Sequence, residues 1–213
     1  MPEALLAESS EQGHPEEEKW NDEWDYEDDI KESVRQWTYE DYLKLPNDGR
    51  RYEIIEGVLY VSNAPNIDHQ FTVGEIHFQF KLFLRENPVG YVLTAPFEVH
   101  LSEKTRPVQP DVLFIKTDRW SKSGTQLFNG APDLIVEVLS PSTRRLDQVI
   151  KFHAYEKAKV PEYWIADPKT RLVQVFSLND RKYELIGEFM GDEIIESKVL
   201  PYLKITTDSI FNK

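Results

Sequence analysis

Apolar positions along the chain follow two rhythms, and each change of rhythm marks an element. In "RYEIIEGVLYVS" two β-branched and aromatic runs flank Glu56-Gly57, the signature of a hairpin with a tight turn. In "DHQFTVGEIHFQFKLFLREN" apolar residues stand at 71, 73, 76, 80, 83 and 84, close to helical spacing. Asp68 is the candidate cap of that helix, and Pro88 and Gly90 stop it. Three strand-like stretches follow: "GYVLTAPFEVHLS", "QPDVLFIKT" and "APDLIVEVLS". After the turn "PSTRR", residues 146–159 return to helical spacing, with Leu146, Val149, Ile150 and Ala154 on one stripe. "EYWIAD" and "LVQVFSL" read as strands joined by a "DPKTR" turn, followed by "KYELIGEF" and an irregular closing segment with a short helix. Ahead of the hairpin, Thr38 and Asp41 have the spacing of a capping box on a short helix that Pro46 ends. The order helix, three strands, helix, strand, behind a hairpin, predicts an α/β fold around one mixed sheet.

Composition adds a boundary. The chain has 213 residues and a net charge of −13, but the charge is concentrated. Residues 1–35 hold thirteen acidic and three basic side chains, and the other 178 residues carry 25 and 22. The expected organisation is therefore an acidic, disordered tail over 1–34 and one domain over 35–213. Trp20, Trp24 and Tyr26 give the tail a second reading, as a segment that docks on a surface or covers a groove by imitating a phosphate backbone. The nearly neutral domain has no global field that would draw in nucleic acid. There are no cysteines, which excludes disulfides, thiolate metal sites and cysteine nucleophiles and fits a cytoplasmic protein. No window approaches the ~18 consecutive apolar residues of a membrane span, and the N-terminus has no secretory pattern.

One residue breaks the apolar rhythm. Glu137 lies inside "LIVEVL", and a buried carboxylate is costly unless it is paired or bound to a metal. Asp111 opens the preceding strand, so adjacent strands would bring the two acids together at one sheet end. Two such carboxylates repel, and a shared divalent cation or proton relieves them. Oxygen ligands without Cys favour Mg²⁺ or Mn²⁺. Lys151, on the next helix, leans back toward the same strand end. Two carboxylates, a metal and a lysine suit phosphodiester hydrolysis. His69 is a candidate for proton transfer or phosphate contact, Glu56 and Glu53 are candidate further ligands, and Arg144 and Arg145 are candidate phosphate contacts. Asp147 reads as a partner of Lys151 or a helix cap, Asp133 as a loop anchor, and Tyr155 as packing. No Gly-rich phosphate loop, zinc signature or Ser-His-Asp arrangement is present.

The residues that build this picture, "PD" at 110–111, "EVLSPST" at 137–143 and "DQVIKFHAYEKAKVPEYWIADP" at 147–168, resemble the bacterial restriction endonuclease domain called the Uma family. "RYEIIEG" followed by His69 resembles that family's opening, and the likeness runs over about residues 38–211. It implies the PD-(D/E)XK nuclease fold, with an α-β-β-β-α-β core, metal held by Asp111 and Glu137, DNA as substrate, and a dimer as one possible assembly. In that pattern a lysine stands two residues after the glutamate, where this chain has Leu139. Lys151 is then a replacement contributed from the helix. The alternative is a nuclease-fold binding or interaction protein without catalysis, regulated by the acidic tail.

Overall fold

The structure is a computed structural model that describes residues 35–120 and 126–211. The expectations for the acidic tail, including Trp20, Trp24 and Tyr26, lie outside the described residues. A short helix α1 (Tyr39–Tyr42) opens the domain, and its Thr38–Asp41 capping box is formed. The hairpin strands β1 (Arg51–Ile55) and β2 (Val58–Ser62) follow. Glu56 and Gly57 both have positive φ, 50° and 79°, as a two-residue primed turn requires. Helix α2 (Ile67–Glu86) is capped by the Asn66 side chain, which accepts from the His69 N–H at 2.9 Å. The cap therefore lies two residues before Asp68, which falls in the first turn.

The central sheet has six strands in the order β10-β9-β8-β7-β5-β3. These are β3 (Gly90–Thr94), β5 (Val112–Lys116), β7 (Leu134–Val138), β8 (Glu162–Asp167), β9 (Leu172–Asn179) and β10 (Lys182–Met190). β7 and β8 run parallel, and the other neighbours run antiparallel. The stretch expected as one strand over 90–102 is divided after Thr94, where a bend at Ala95-Pro96 interrupts the ladder. Its second part, β4 (Glu98–His100), leaves the sheet and pairs in parallel with β6 (Leu127–Asn129). The β7–β8 crossover contains a π-helical turn over Leu146–Lys151 that continues into α3 (Phe152–Lys157).

Strand alternation sorts the side chains onto two faces. Val112, Phe114, Leu134, Val136, Trp164 and Ala166 pack under α2 with Ile76, Phe80 and Leu84. Leu113, Ile115, Ile135, Tyr163 and Ile165 pack on the other face with Ile55, Leu139 and Tyr155. Phe80 meets Trp164 edge to face, with ring centroids 5.5 Å apart. The closing segment is tied down by Glu162, which is fully buried. Its carboxylate accepts from Trp164 Nε1, Ser197 Oγ and the N–H groups of Lys198 and Val199 at 2.6 to 3.0 Å. The segment ends in α4 (Asp208–Phe211), whose Ile210 completes the core under α2.

Phe80 has no exposed surface. Phe80→Ala leaves a cavity against Trp164, and the expected loss of about 3–5 kcal/mol appears as a lowered denaturation midpoint at unchanged denaturant slope.

Candidate active site

The antiparallel β5–β7 register sets Val112 opposite Val136, so Asp111 lies beside Glu137. Asp111 shares its face with Leu113, and Glu137 shares its face with Ile135. Glu137 thus points away from α2, toward the hairpin and α3, and Asp111, at the sheet end, lies between the hairpin and the first turn of α2. Asp111 N–H donates to Glu137 Oε2 at 3.3 Å, and Val138 N–H donates to Asp111 Oδ2 at 2.9 Å.

Two further elements close over this pair. From the crossover, Lys151 Nζ reaches Glu137 Oε1 at 3.0 Å, with Asp147 at 3.6 Å on the same turn. From the hairpin, Glu53 lies 3.2 Å from the same ammonium, and its other oxygen accepts from Gln109 N–H at 2.7 Å. Arg51, two residues earlier on β1, reaches Asp111 Oδ1 at 2.8 Å. Tyr155 OH donates to Glu137 Oε1 at 2.6 Å, and His69 Nε2 meets Asp111 Oδ2 at 3.0 Å. Lys151 is 1% exposed and Glu137 is 1% exposed, so both charges are compensated inside the protein.

Four carboxylates face two permanent cations here, and the electrostatics follow. Burial alone would push Lys151 down, but Glu137, Glu53 and Asp147 outweigh it and the net direction is up. Burial likewise opposes ionisation of Asp111, yet the His69 hydrogen bond and Arg51 hold it well below the usual carboxylate range. Glu137 is driven upward by burial, against the pull of Lys151, and Asp111, Asp147 and Glu53 push the same way. Asp147 is raised to about 6, chiefly by burial. The cluster therefore has an affinity for one more positive charge, either a proton or a cation.

The structure brings Asp111, Glu137, Lys151, His69 and Glu53 together, and it does not bring Glu56 to them. Glu56 stays at the hairpin turn, where Lys157 (2.7 Å) and Thr105 (3.0 Å) take its oxygens. The expectation of Glu56 as a metal ligand is corrected accordingly. Arg144 pairs with Asp167 at 2.9 Å, and Arg145 is exposed. Asp133 anchors a loop through Lys116 N–H and Arg119, both at 2.9 Å. Leu139 is buried beneath α3, with its N–H on the Ala166 carbonyl at 2.8 Å. Sequence reasoning missed Arg51, although its i, i+2 spacing from Glu53 on one strand was the available signal. It also took Tyr155 for packing alone.

The donor chemistry fits a hard divalent cation, because every acidic ligand is a carboxylate and the sum is negative. Among the described residues, no group of three or more His, Asp or Glu side chains is arranged to hold a metal ion. Lys151 holds the centre instead. A cleft of about 190 Å³ opens beside the cluster, lined by Arg51, His69, Asn66, Ser140, Ser142 and Thr143 among others. His69 Nδ1 is buried and makes no hydrogen bond.

A mixed sheet with buried acids at the end of its central strands, covered by a lysine-bearing helix, defines a nuclease-type α/β fold. The chain belongs to the Uma2 family, described as "Putative restriction endonuclease", whose model matches residues 39–208. Among solved structures it is similar to a crystal structure titled a "putative nuclease belonging to DUF820" from Anabaena variabilis. That likeness has a TM-score of 0.69 at 19% identity and covers 82% of this chain and 97% of the other. No curated protein matches the chain. Among the described residues, no helix is long and apolar enough to cross a membrane.

An acid whose folded pKa is raised stabilises the fold below its unfolded pKa and loses that contribution as pH rises through the folded value. For Asp147 the window runs from 3.8 to about 6. Asp147→Asn is expected to flatten the fall in stability across that window, by an amount on the order of 2–3 kcal/mol. Urea titrations of both proteins at several pH values measure it, and parallel stability curves would refute the assignment.

Proposed function

We propose that the protein is a metal-dependent endonuclease that hydrolyses phosphodiester bonds in DNA. The observation that carries this reading is the convergence of Asp111, Glu137 and Lys151 beside a polar cleft, within a chain of a nuclease-like family. Asp111 and Glu137 are the residues that would hold Mg²⁺ or Mn²⁺. Such an ion supplies Lewis-acid stabilisation of the attacked phosphate and a more acidic water. Lys151 offsets charge that develops on the phosphate, in the role the strand lysine has in the family pattern. Arg51 lines the cleft while bound to Asp111, so it can meet a backbone phosphate without leaving the cluster. His69 is held against Asp111 through Nε2, so it fixes the orientation of the ionised carboxylate beside the cleft. Arg144 and Arg145 follow the Ser140–Thr143 rim and would contact phosphates further along the strand, Arg144 by exchanging its Asp167 partner.

A second reading has its own observation. Lys151 fills the centre of the acidic cluster, and Leu139 occupies the strand position where the family pattern has lysine. A protein that kept the nuclease fold to bind nucleic acid or another partner, without cutting, would show both features.

Supercoiled plasmid incubated with Mg²⁺ or Mn²⁺ is expected to be nicked by the wild type. Asp111→Asn, Glu137→Gln and Lys151→Ala should each lower the rate by about 10²-fold or more. The same ions should raise the melting temperature of the wild type and not of Asp111→Asn. Metal-dependent stabilisation without cleavage of any DNA form would favour the second reading, and neither effect would defeat the first.

A further inference from the structure

We propose that Tyr155 is the positioning residue of Glu137: its hydroxyl fixes which carboxylate oxygen is held inside the protein and which is kept for a cation. The inference rests on Asp111 and Glu137 as the residues that would hold the metal. Tyr155 lies on α3 four residues after Lys151, so the two side chains fall on one helix face. Both reach the same atom. Lys151 Nζ stands 3.0 Å and Tyr155 Oη 2.6 Å from Glu137 Oε1. The other oxygen, Oε2, lies on the Asp111 side, where the Asp111 N–H meets it at 3.3 Å. The two short contacts thus converge on one oxygen, and the more weakly held one is beside the second acid of the pair.

Packing aims the hydroxyl. The Tyr155 ring has no exposed surface and sits among Leu113, Ile135 and Ile165. It meets Tyr163 edge to face, with ring centroids 5.2 Å apart. A ring enclosed at the density of a protein interior cannot swing, so its oxygen is fixed over Glu137. Because Tyr155 has no exposed surface, it acts through Glu137 and touches no substrate.

The residue type matters as much as the place. The terminal torsion of a glutamate is soft, and Glu137 is crowded by other acids, so its plane turns unless a donor holds it. Lys151 holds it only in part, because the same ammonium also answers Glu53 at 3.2 Å and Asp147 at 3.6 Å. A hydroxyl has one proton, and Tyr155 gives it to Glu137 alone. A second ammonium or guanidinium here would hold the carboxylate equally well, but it would cancel the negative charge that draws a cation in. A phenol is neutral at the working pH and supplies the hydrogen bond without that loss. Tyr163 provides the contrast. It is equally buried, and its hydroxyl donates to the Asp147 backbone carbonyl at 3.0 Å.

Mn²⁺ titration of the full chain, followed by the electron paramagnetic resonance signal of the free ion, tests this. Tyr155→Phe keeps the ring and removes the hydroxyl. Its circular dichroism spectrum should match the wild type, while its Mn²⁺ affinity should fall by about 10–100-fold, as loss of a hydrogen-bond partner behind a metal ligand does. Tyr163→Phe removes an equally buried hydroxyl and should lower the melting temperature while keeping the wild-type Mn²⁺ affinity. Equal affinity in the wild type and Tyr155→Phe overturns the inference and leaves the nuclease reading standing. A comparable loss in Tyr163→Phe also overturns it, because the effect is then one of general packing. A wild type that binds no Mn²⁺ overturns the metal-holding pair itself, and the role of Tyr155 with it.

Discussion

The ammonium of Lys151, enclosed by three carboxylates, is the interaction on which the rest of the domain depends. An ion taken out of water costs several kcal/mol, and this cost is offset only where opposite charges stand close and every remaining hydrogen bond is made. Glu53 from the hairpin, Glu137 from the sheet and Asp147 from the crossover each supply one partner. The cluster therefore joins three separate elements, and none of them can move away without leaving a charge stranded. Arg51 and Glu53 tie the hairpin to this centre, and its Ile54 and Gly57 N–H groups donate to the carbonyls of Pro107 and Lys104.

The same arrangement accounts for the site's unequal carboxylates. Asp111 is surrounded by donors, Arg51, His69 and the Val138 N–H, and stays ionised. Glu137 faces the crowd of other acids and is pushed the opposite way. Two acids on neighbouring strands thus differ in how readily they hold a proton, a separation that acid–base chemistry at neutral pH requires. The cleft reaches the cluster from the Asp111 side, through Arg51 and His69, so the ionised member is the one a substrate would meet first.

Much of this was legible in the sequence, for physical reasons. The apolar strands gave the sheet, and a lone acid in each of two adjacent strands gave the site, because alternation and antiparallel register leave little freedom once the strands pair. The direction of Lys151 followed from the lean of helical side chains. Other features were not legible. Tyr155 enters through the long-range packing of α3, which no local spacing reports, and Arg51 through the docking of the hairpin, at which only its i, i+2 spacing from Glu53 hinted. The cap of α2 moved from Asp68 to Asn66 because both residue types cap well and only the chain path decides. The division of residues 90–102 into β3 and β4 depends on β6, a three-residue strand too short to show any period. Glu56 was drawn toward the site by its chemistry, yet the turn holds it beside Lys157.

Leu139 occupies the strand position where the family pattern has lysine, and the amine comes from a π-helical turn instead. This changes what the site is sensitive to. A lysine on a strand is aimed by pleat, and only a slip of the whole ladder can misdirect it. A lysine on a helix is aimed by rotational phase, and one residue gained or lost between Ser140 and Lys151 turns it by about 100°. The π turn carries one residue more than an α turn would over the same rise. That surplus residue sets the phase at which both Asp147 and Lys151 face inward. The length of this crossover is thus as constrained as the identity of Lys151 within it.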